Sequence, residues 1–174
     1  MKTNKYKILL IFLVFASTLQ AQVSEYEYKA AFIERFTRFV DWPGGIESDT
    51  FKIAVIGKNP INESLANLFA DEKIKNKNVK IIYSDNIVDL AEANLVFISS
   101  SEKKRIKEIL AFTGKYPILT ISDSKGFSAK GVHINMYDDN NYIRYEINQE
   151  AIEKSGLKVS SLLLASAKIV KAND

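Results

Sequence analysis

The sequence predicts an α/β fold with three layers, in which helices cover both faces of a mostly parallel sheet of Rossmann or flavodoxin-like type. The segments 51–57, 79–84, 95–99 and 117–123 are nearly continuous apolar runs, which is typical of strands buried on both faces. Helical stretches of about ten residues separate several of them, as in right-handed βαβ units. The run 131–148 alternates polar and apolar residues around a turn, so we expect an antiparallel hairpin at the far edge of the sheet.

An N-terminal helix is predicted over residues 24–41. Ser24 and Glu27 have the spacing of a capping box, and Pro43 ends the helix because it excludes the preceding Trp42 from helical geometry. One face of this helix is apolar at helical spacing, with Ala31, Phe32, Phe36, Phe39 and Val40.

Helix boundaries in the middle of the chain follow from capping residues. Asn59 caps the helix after the first strand, and a short helical turn covers residues 87–93. Ser100 or Ser101 caps the next helix, which ends at Gly114.

The C-terminal part is predicted to contain two helices after the hairpin. Residues 138–141 join the two hairpin strands, and Asn148 caps a short helix that ends at Gly156. A C-terminal helix then starts at about Lys158. Its predicted buried residues are Val159, Leu162, Leu163, Ile169 and Val170.

The first 21 residues have the features of a secretory signal peptide. Three lysines precede the uncharged run 8–16, and the small residue Ala21 offers a cleavage point. The apolar run has about half the length of a membrane-spanning helix. We therefore predict one domain over residues 22–174, soluble outside the cytoplasm.

Charge and cysteine content exclude several classes of function. Without the three lysines of the predicted signal peptide, 21 basic residues face 21 acidic ones, so no excess of positive charge indicates binding to nucleic acid or anionic lipid. The chain has no cysteine, which excludes disulfides, thiolate metal sites, a cysteine nucleophile and a lipid anchor at the predicted cleavage point.

No cofactor or metal motif is complete in the sequence. The turn at Gly57 lacks the further glycines of a P-loop or a dinucleotide-binding loop. Zinc lacks a ligand set, and Asp138 with Asp139 is most simply a turn, because a calcium loop needs more oxygen ligands at set spacing. We predict neither a cofactor nor a metal.

A serine hydrolase is the weakest of three functional hypotheses. It would combine Ser99, Ser100 or Ser101 with His133 and Asp123, but no nucleophile-elbow motif supports this triad. His133 is the only histidine, and strand alternation predicts that it lies on a solvent-exposed face.

A sensor of a small ligand is the second hypothesis. In open α/β sheets, ligands bind beyond the carboxyl ends of the strands. The sequence places Ser100, Ser101, Asp123 and Ser124 there, as polar residues of a candidate cleft.

Tyr142, Arg144 and Glu146 share one face of the second hairpin strand. Charges that alternate along an edge usually form a solvated face that opposes aggregation. The alternative is a functional contact through Arg144, whose rigid donor fork suits carboxylate or phosphate.

Several motifs in fixed order resemble the YfiR-like family of exported bacterial proteins. The resemblance spans residues 26–170 and rests mainly on FTRFVDWP (36–43), LTISD (119–123) with Phe127, IRYEIN (143–148) and SSLLLASA (160–167). It implies a non-enzymatic periplasmic regulator that represses an inner-membrane signalling protein, a diguanylate cyclase or a sensor kinase, by protein–protein contact. It also implies homodimerisation and association with a small ligand. Some similar proteins use cysteine pairs for redox control, which this chain cannot do.

The periplasmic regulator is the favoured hypothesis, since no catalytic motif competes with the resemblance. We expect Arg38, Phe39 and Trp42 to contribute to the partner or dimer surface. Arg144 and Glu146 are expected to contact a ligand or a partner.

Overall fold

The computed structural model describes residues 25–140 and 142–171. The helices are α1 (25–38), α2 (Ile61–Leu68), α3 (Ile106–Thr113), α4 (Gln149–Lys154) and α5 (Ser161–Ala165). The strands are β1 (Val40–Asp41), β2 (Thr50–Ile56), β3 (Asn78–Ser84), β4 (Leu95–Ile98), β5 (Leu119–Ser122), β6 (Ile134–Asp139), β7 (Tyr142–Asn148), β8 (Lys158–Val159) and β9 (Lys168–Val170). Short 3-10 segments cover Ile87–Glu92, Ser100–Lys104 and Ser128–Lys130.

Within these residues, seven strands form one sheet in the order β3-β2-β4-β5-β6-β7-β9, and β1 with β8 forms a separate ribbon. Strands β2 to β6 run parallel, β7 pairs antiparallel with β6, and β9 pairs parallel with β7. The prediction of a mostly parallel sheet with an antiparallel hairpin is confirmed.

Each face of the sheet buries its own apolar cluster. One cluster joins strand residues such as Ile53 and Phe97 to α1, α2, α4 and α5. The other packs Ile56 and Ile98 against α3 and the 3-10 segment Ile87–Glu92. Helices on both faces of one sheet make the three predicted layers.

Two of the predicted capping hydrogen bonds are present, and a third is absent. The Asn148 Oδ1 atom accepts a hydrogen bond of 3.0 Å from the Ala151 N–H at the start of α4, and Asn59 Oδ1 accepts one of 2.8 Å from the Ile61 N–H. Ser99, and not Ser100 or Ser101, precedes the 3-10 segment before α3, and its side chain forms no capping bond.

The predicted N-terminal helix is too long at its C-terminal end. Helix α1 ends at residue 38, and Val40 lies opposite Val159 in the β1–β8 ribbon. The carbonyl of Phe39 accepts a hydrogen bond of 2.9 Å from the Ser160 N–H. Pairing with a distant part of the chain therefore replaces the last helical turn, which helix periodicity alone cannot anticipate.

The prediction of a long C-terminal helix is wrong. Helix α5 has five residues, and the segment after it forms β9, the edge strand next to β7. Leu163 is buried as predicted, but Ile169 and Leu162 are 48% and 70% exposed. The β-branched pair Ile169-Val170 suits a strand better than a helix. The hairpin is consequently not the outermost element on this side.

The predicted signal peptide (1–21), the capping residue Ser24 and the turn residue Asn141 lie outside the described residues. In the part of the chain that the structure describes, every helix is too short or too polar to cross a membrane.

Candidate functional site

A groove of about 380 Å³ lies between α1 and α5, and we name it the helix groove. Leu162 exposes 70% of its surface at this groove, and Phe32 and Phe39 are half-buried. The lining residues are mainly apolar or aromatic: Phe32, Phe36, Phe39, Tyr145, Leu162 and Leu163, with the polar Arg35 and Ser166. Contiguous apolar surface of this kind is typical of binding sites.

Aromatic packing forms the floor of the helix groove. The rings of Phe36 and Tyr145 meet edge to face with centroids 4.8 Å apart, and Phe32 packs on Phe36 at 5.7 Å. The Tyr145 hydroxyl donates to the Leu163 carbonyl at 3.3 Å and also hydrogen-bonds the Ser166 hydroxyl. Strand β7 thus holds both helices in place.

The ribbon of β1 and β8 links the end of α1 to the start of α5, the two helices that line the helix groove. It places Phe39, directly after α1, next to Ser160, whose Oγ caps α5 by accepting from the Leu162 N–H at 3.2 Å. Because both walls are tied to this ribbon, the groove is a preformed surface.

The two arginines at the end of α1 differ in their pairing. Arg38 Nε donates to Glu34 Oε1 at 2.7 Å, and its side chain is 65% exposed. Arg35 is exposed at the rim of the helix groove and forms no ion pair among the described residues. Within the described ranges, the groove therefore combines apolar walls with the positive charge of Arg35, which has no acidic partner there.

Trp42 is expected at a partner or dimer surface, but the structure buries it. Trp42 is 7% exposed, its ring meets Phe51 edge to face at 5.3 Å, and its Nε1 donates to the Asn94 carbonyl at 3.2 Å. Trp42 does lie outside the helix, directly after β1, but the chain turns the indole into the core. We therefore assign Trp42 to core packing and not to a contact surface.

A second cavity, of about 740 Å³, opens near the carboxyl end of β5, and we name it the strand-end pocket. Asp123, Asn135 and Glu146 supply polar groups, and Ile169 and Val170 from β9 supply apolar wall. The other lining residues are Lys125, Gly126, Ala129, Tyr137, Asp138 and Lys168.

A buried ion pair joins α1 to the strand-end pocket. Lys29 Nζ lies 2.8 Å from Asp123 Oδ2 and 2.6 Å from Glu25 Oε1, and the Lys29 and Asp123 side chains are 10% and 9% exposed. Burial alone would lower the pKa of Lys29, but the hydrogen bonds and charges of Asp123 and Glu25 outweigh it and raise that pKa. Lys29 therefore stays charged and neutralises Asp123.

Only one of the four residues predicted for a cleft lines the strand-end pocket. That residue is Asp123, while Ser124 is buried and its N–H donates to Ser122 Oγ and Asn135 Oδ1. Ser100 is exposed outside the pocket, and Ser101 Oγ accepts from the Lys58 N–H at 3.0 Å. The observed pocket therefore lies closer to β6, β7 and β9 than the predicted cleft.

The prediction that His133 is a surface residue is wrong. His133 is 6% exposed, and its Nδ1 accepts a hydrogen bond of 3.2 Å from the Thr120 N–H. Burial lowers the pKa of His133 to about 4, and a backbone hydrogen bond with Ala151 opposes this only in part. Asp123 pairs with Lys29, so the two non-serine members of the hydrolase hypothesis each have other partners.

Arg144 and Glu146 lie on the same strand, β7, but have different surroundings. Glu146 lines the strand-end pocket with its side chain 13% exposed. Arg144 is 62% exposed, with its Nε 3.8 Å from Asp139 Oδ2, and lines neither the pocket nor the helix groove. A role for Arg144 stays a prediction.

A comparison with family models matches residues 26–168 to the YfiR/HmsC-like description. The chain belongs to the YfiR/HmsC-like family. Proteins of this family are periplasmic regulators of cyclic-di-GMP signalling that act on an inner-membrane signalling protein. They are regulatory and not known as enzymes. The search among curated proteins finds no match.

Two solved structures share the fold of this YfiR/HmsC-like chain. A conserved domain protein from Vibrio cholerae has a TM-score of 0.57 and 11% identity, over 84% of this chain and 60% of that one. The ABC domain from Streptococcus pneumoniae, in complex with L-Trp, has a TM-score of 0.57 and 8% identity, over 83% of this chain and 60% of that one. This chain thus spans 60% of the length of each, and the likeness shows the α/β fold alone.

The sequence does not predict most of the residues that line either cavity. Its helical periodicity predicts that Leu162 is buried, and it gives no indication that β9 brings Lys168 next to Glu146. One usable signal was present: the β-branched pair after Lys168 indicates a strand, and a strand there must pair with the sheet edge.

Proposed function

We propose that this YfiR/HmsC-like protein represses a diguanylate cyclase or a sensor kinase of the inner membrane by binding its periplasmic part through the helix groove. The observation that carries the proposal is the exposure of Leu162, at 70%, beside half-buried Phe32 and Phe39. Leaving such a patch in water forgoes about 25 cal/mol for each Å² of apolar surface that a partner would cover.

The charge at the rim suggests the chemistry of the partner segment. Arg35 has no ion pair among the described residues, so a carboxylate on the partner would gain a bidentate contact without breaking an existing one. We propose that the occupant is an apolar segment of the membrane protein that carries Asp or Glu opposite Arg35. Phe39 contributes a groove wall, and Arg38 contributes charge next to it.

The proposal is tested by the substitution Leu162→Asp in cells that lack the native gene. A carboxylate at this position would be desolvated by the partner, and we expect binding to weaken roughly 30-fold or more, which is the effect of losing a central contact. Cellular cyclic-di-GMP, or the kinase output, should rise towards the level of the gene deletion.

The matched control is Val88→Asp. Val88 is 66% exposed, nearly as much as Leu162, but belongs to the 3-10 segment on the other face of the sheet. Its variant should repress normally at equal periplasmic amounts, measured by immunoblot. Full repression by Leu162→Asp would contradict the proposal, as would equal loss in both variants.

A further inference from the structure

We propose that the strand-end pocket binds a small organic ammonium compound with an apolar body, and that Glu146 is the counter-ion of the ammonium group. The inference is independent of the helix groove, since the two sites share no lining residue. It concerns a ligand of the isolated chain and not the membrane partner.

The size and walls of the pocket suit a small molecule. Its volume of about 740 Å³ lies within the usual range for ligand sites, and Ile169 and Val170 of β9, with Ala129, supply apolar lining. A ligand would gain by burying a hydrocarbon body against these side chains. A fully hydrophilic ligand would place no apolar surface against these apolar side chains.

The two innermost carboxylates differ in how well they are compensated. Asp123 has a complete ion pair with Lys29 at 2.8 Å. Glu146 is nearly as enclosed, at 13% exposure, but among the described residues its partners are a hydrogen bond of 3.3 Å from Asn135 Nδ2 and a distant Lys168 at 3.7 Å. An enclosed carboxylate needs a close cationic or hydrogen-bonding partner. Glu146 is therefore the group that a ligand cation can satisfy.

The position of the Lys168 ammonium group shows where the pocket can hold a cation. Its ammonium group lies 3.7 Å from Glu146 Oε2 and 6.0 Å from the centre of the Tyr137 ring, between an anion and an aromatic face. The Lys168 side chain is 65% exposed, and both distances are long for strong contacts. A ligand ammonium can displace it at little cost, because the lysine returns to water.

A metal ion fits this site less well than an organic cation. No group of three or more His, Asp or Glu side chains within the described residues is arranged to hold a metal. The aromatic ring and the aliphatic wall also offer nothing to a hard metal ion, whereas they suit the alkyl groups of an organic ammonium compound.

The inference is tested by calorimetry on the purified protein with three probes of similar shape and different charge. Phenethylamine is cationic, 2-phenylethanol is neutral and phenylacetate is anionic. We expect phenethylamine to bind about tenfold more tightly than the alcohol, because only the amine pairs with Glu146, and phenylacetate to bind most weakly. Equal binding of amine and alcohol, or a preference for phenylacetate, would overturn the assignment.

Two variants with opposite expected effects sharpen the test. Glu146→Gln should abolish the preference for the amine, whereas Lys168→Gln should increase amine affinity several-fold because it removes a competing cation. If the pocket instead used Lys168 to hold an anionic group, Lys168→Gln would weaken the binding of phenylacetate and leave that of phenethylamine unchanged, and that result would refute the inference. Lys168 is exposed, so this variant is informative even if Glu146→Gln is unstable.

The matched control is Glu150→Gln. Glu150 is an exposed acid of α4 that pairs with Lys154 and lies outside the pocket lining. Its variant should bind phenethylamine as the native chain does. A comparable loss with this control would show a general charge effect and would overturn the role of Glu146. None of these measurements involves the membrane partner, so their failure leaves the proposed repression unaffected.

Discussion

Phe39 and Trp42 lie three residues apart in the same aromatic motif, yet they belong to two different regions of the molecule. Trp42 has internal partners for both its ring and its N–H, in Phe51 and Asn94. Phe39 is half-buried at the helix groove, opposite a strongly exposed Leu162. An aromatic residue is a candidate for partner binding only where the fold leaves part of it without an internal partner.

The largest effect expected from this comparison is on stability. Trp42→Ala should lower the free energy of unfolding by about 3 to 5 kcal/mol, because it empties a packed site and removes a hydrogen bond. Phe39→Ala should cost only about 1 to 2 kcal/mol, since its ring is half in contact with water. Urea titration of both variants measures the difference. Equal losses would refute the distinction between the two regions.

His133 extends the contrast to a titratable residue. It is buried in neutral form, so its contribution to stability is complete above the unfolded pKa of 6.5 and is lost as the pH falls towards the folded pKa of about 4. Between pH 7 and pH 5 the free energy of unfolding should fall by about 2 kcal/mol from this residue. His133→Asn, which keeps an acceptor near the Thr120 N–H, should flatten that dependence in thermal unfolding.

His133 is the only histidine of the chain, and no other side chain has an ordinary pKa in this pH interval. The difference in pH dependence between the native protein and the His133→Asn variant therefore reports on His133 alone. If both lose the same stability between pH 7 and pH 5, His133 is accessible to protons in the folded state, and its placement in the core is wrong.

The smallest expected effect concerns the groove itself. Leu162→Ser should change the free energy of unfolding by no more than about 0.5 kcal/mol, because exposed residues contribute little to folding. The same holds for the control Val88→Ser at similar exposure. A loss of about 2 kcal/mol or more in Leu162→Ser alone would mean that this leucine is part of the core and not of a contact surface.

The sequence predicts the centre of the molecule better than its edges. Strands β2, β4 and β5 are buried on both faces, so their apolar runs identify them without knowledge of their neighbours. At the edges, conformation depends on pairing between distant segments. Val40 extends because it meets Val159, and Lys168–Val170 becomes a strand because β7 has a free edge.

The candidate sites are also hard to predict from the sequence, because they depend on contacts between distant segments. The sequence predicts Asp123 as a cleft residue and Glu146 as a contact residue, but it does not predict β9, which supplies one wall of the pocket that both residues line. Strand alternation predicts a solvent-exposed face for His133, but His133 is buried and its ring hydrogen-bonds the backbone of Ala151 in α4. The solvent exposure of a residue depends on which elements pack against it, and the periodicity of the sequence does not predict that packing.

The most direct measurement of the central claim is photo-crosslinking in cells. The photoreactive residue p-benzoyl-phenylalanine is placed at 162 in one strain and at 88 in another. We predict a crosslink from 162, identified by mass spectrometry, to the periplasmic part of an inner-membrane cyclase or kinase, and none from 88. A crosslink from 162 only to a second copy of this chain, or the same products from both positions, would contradict the account.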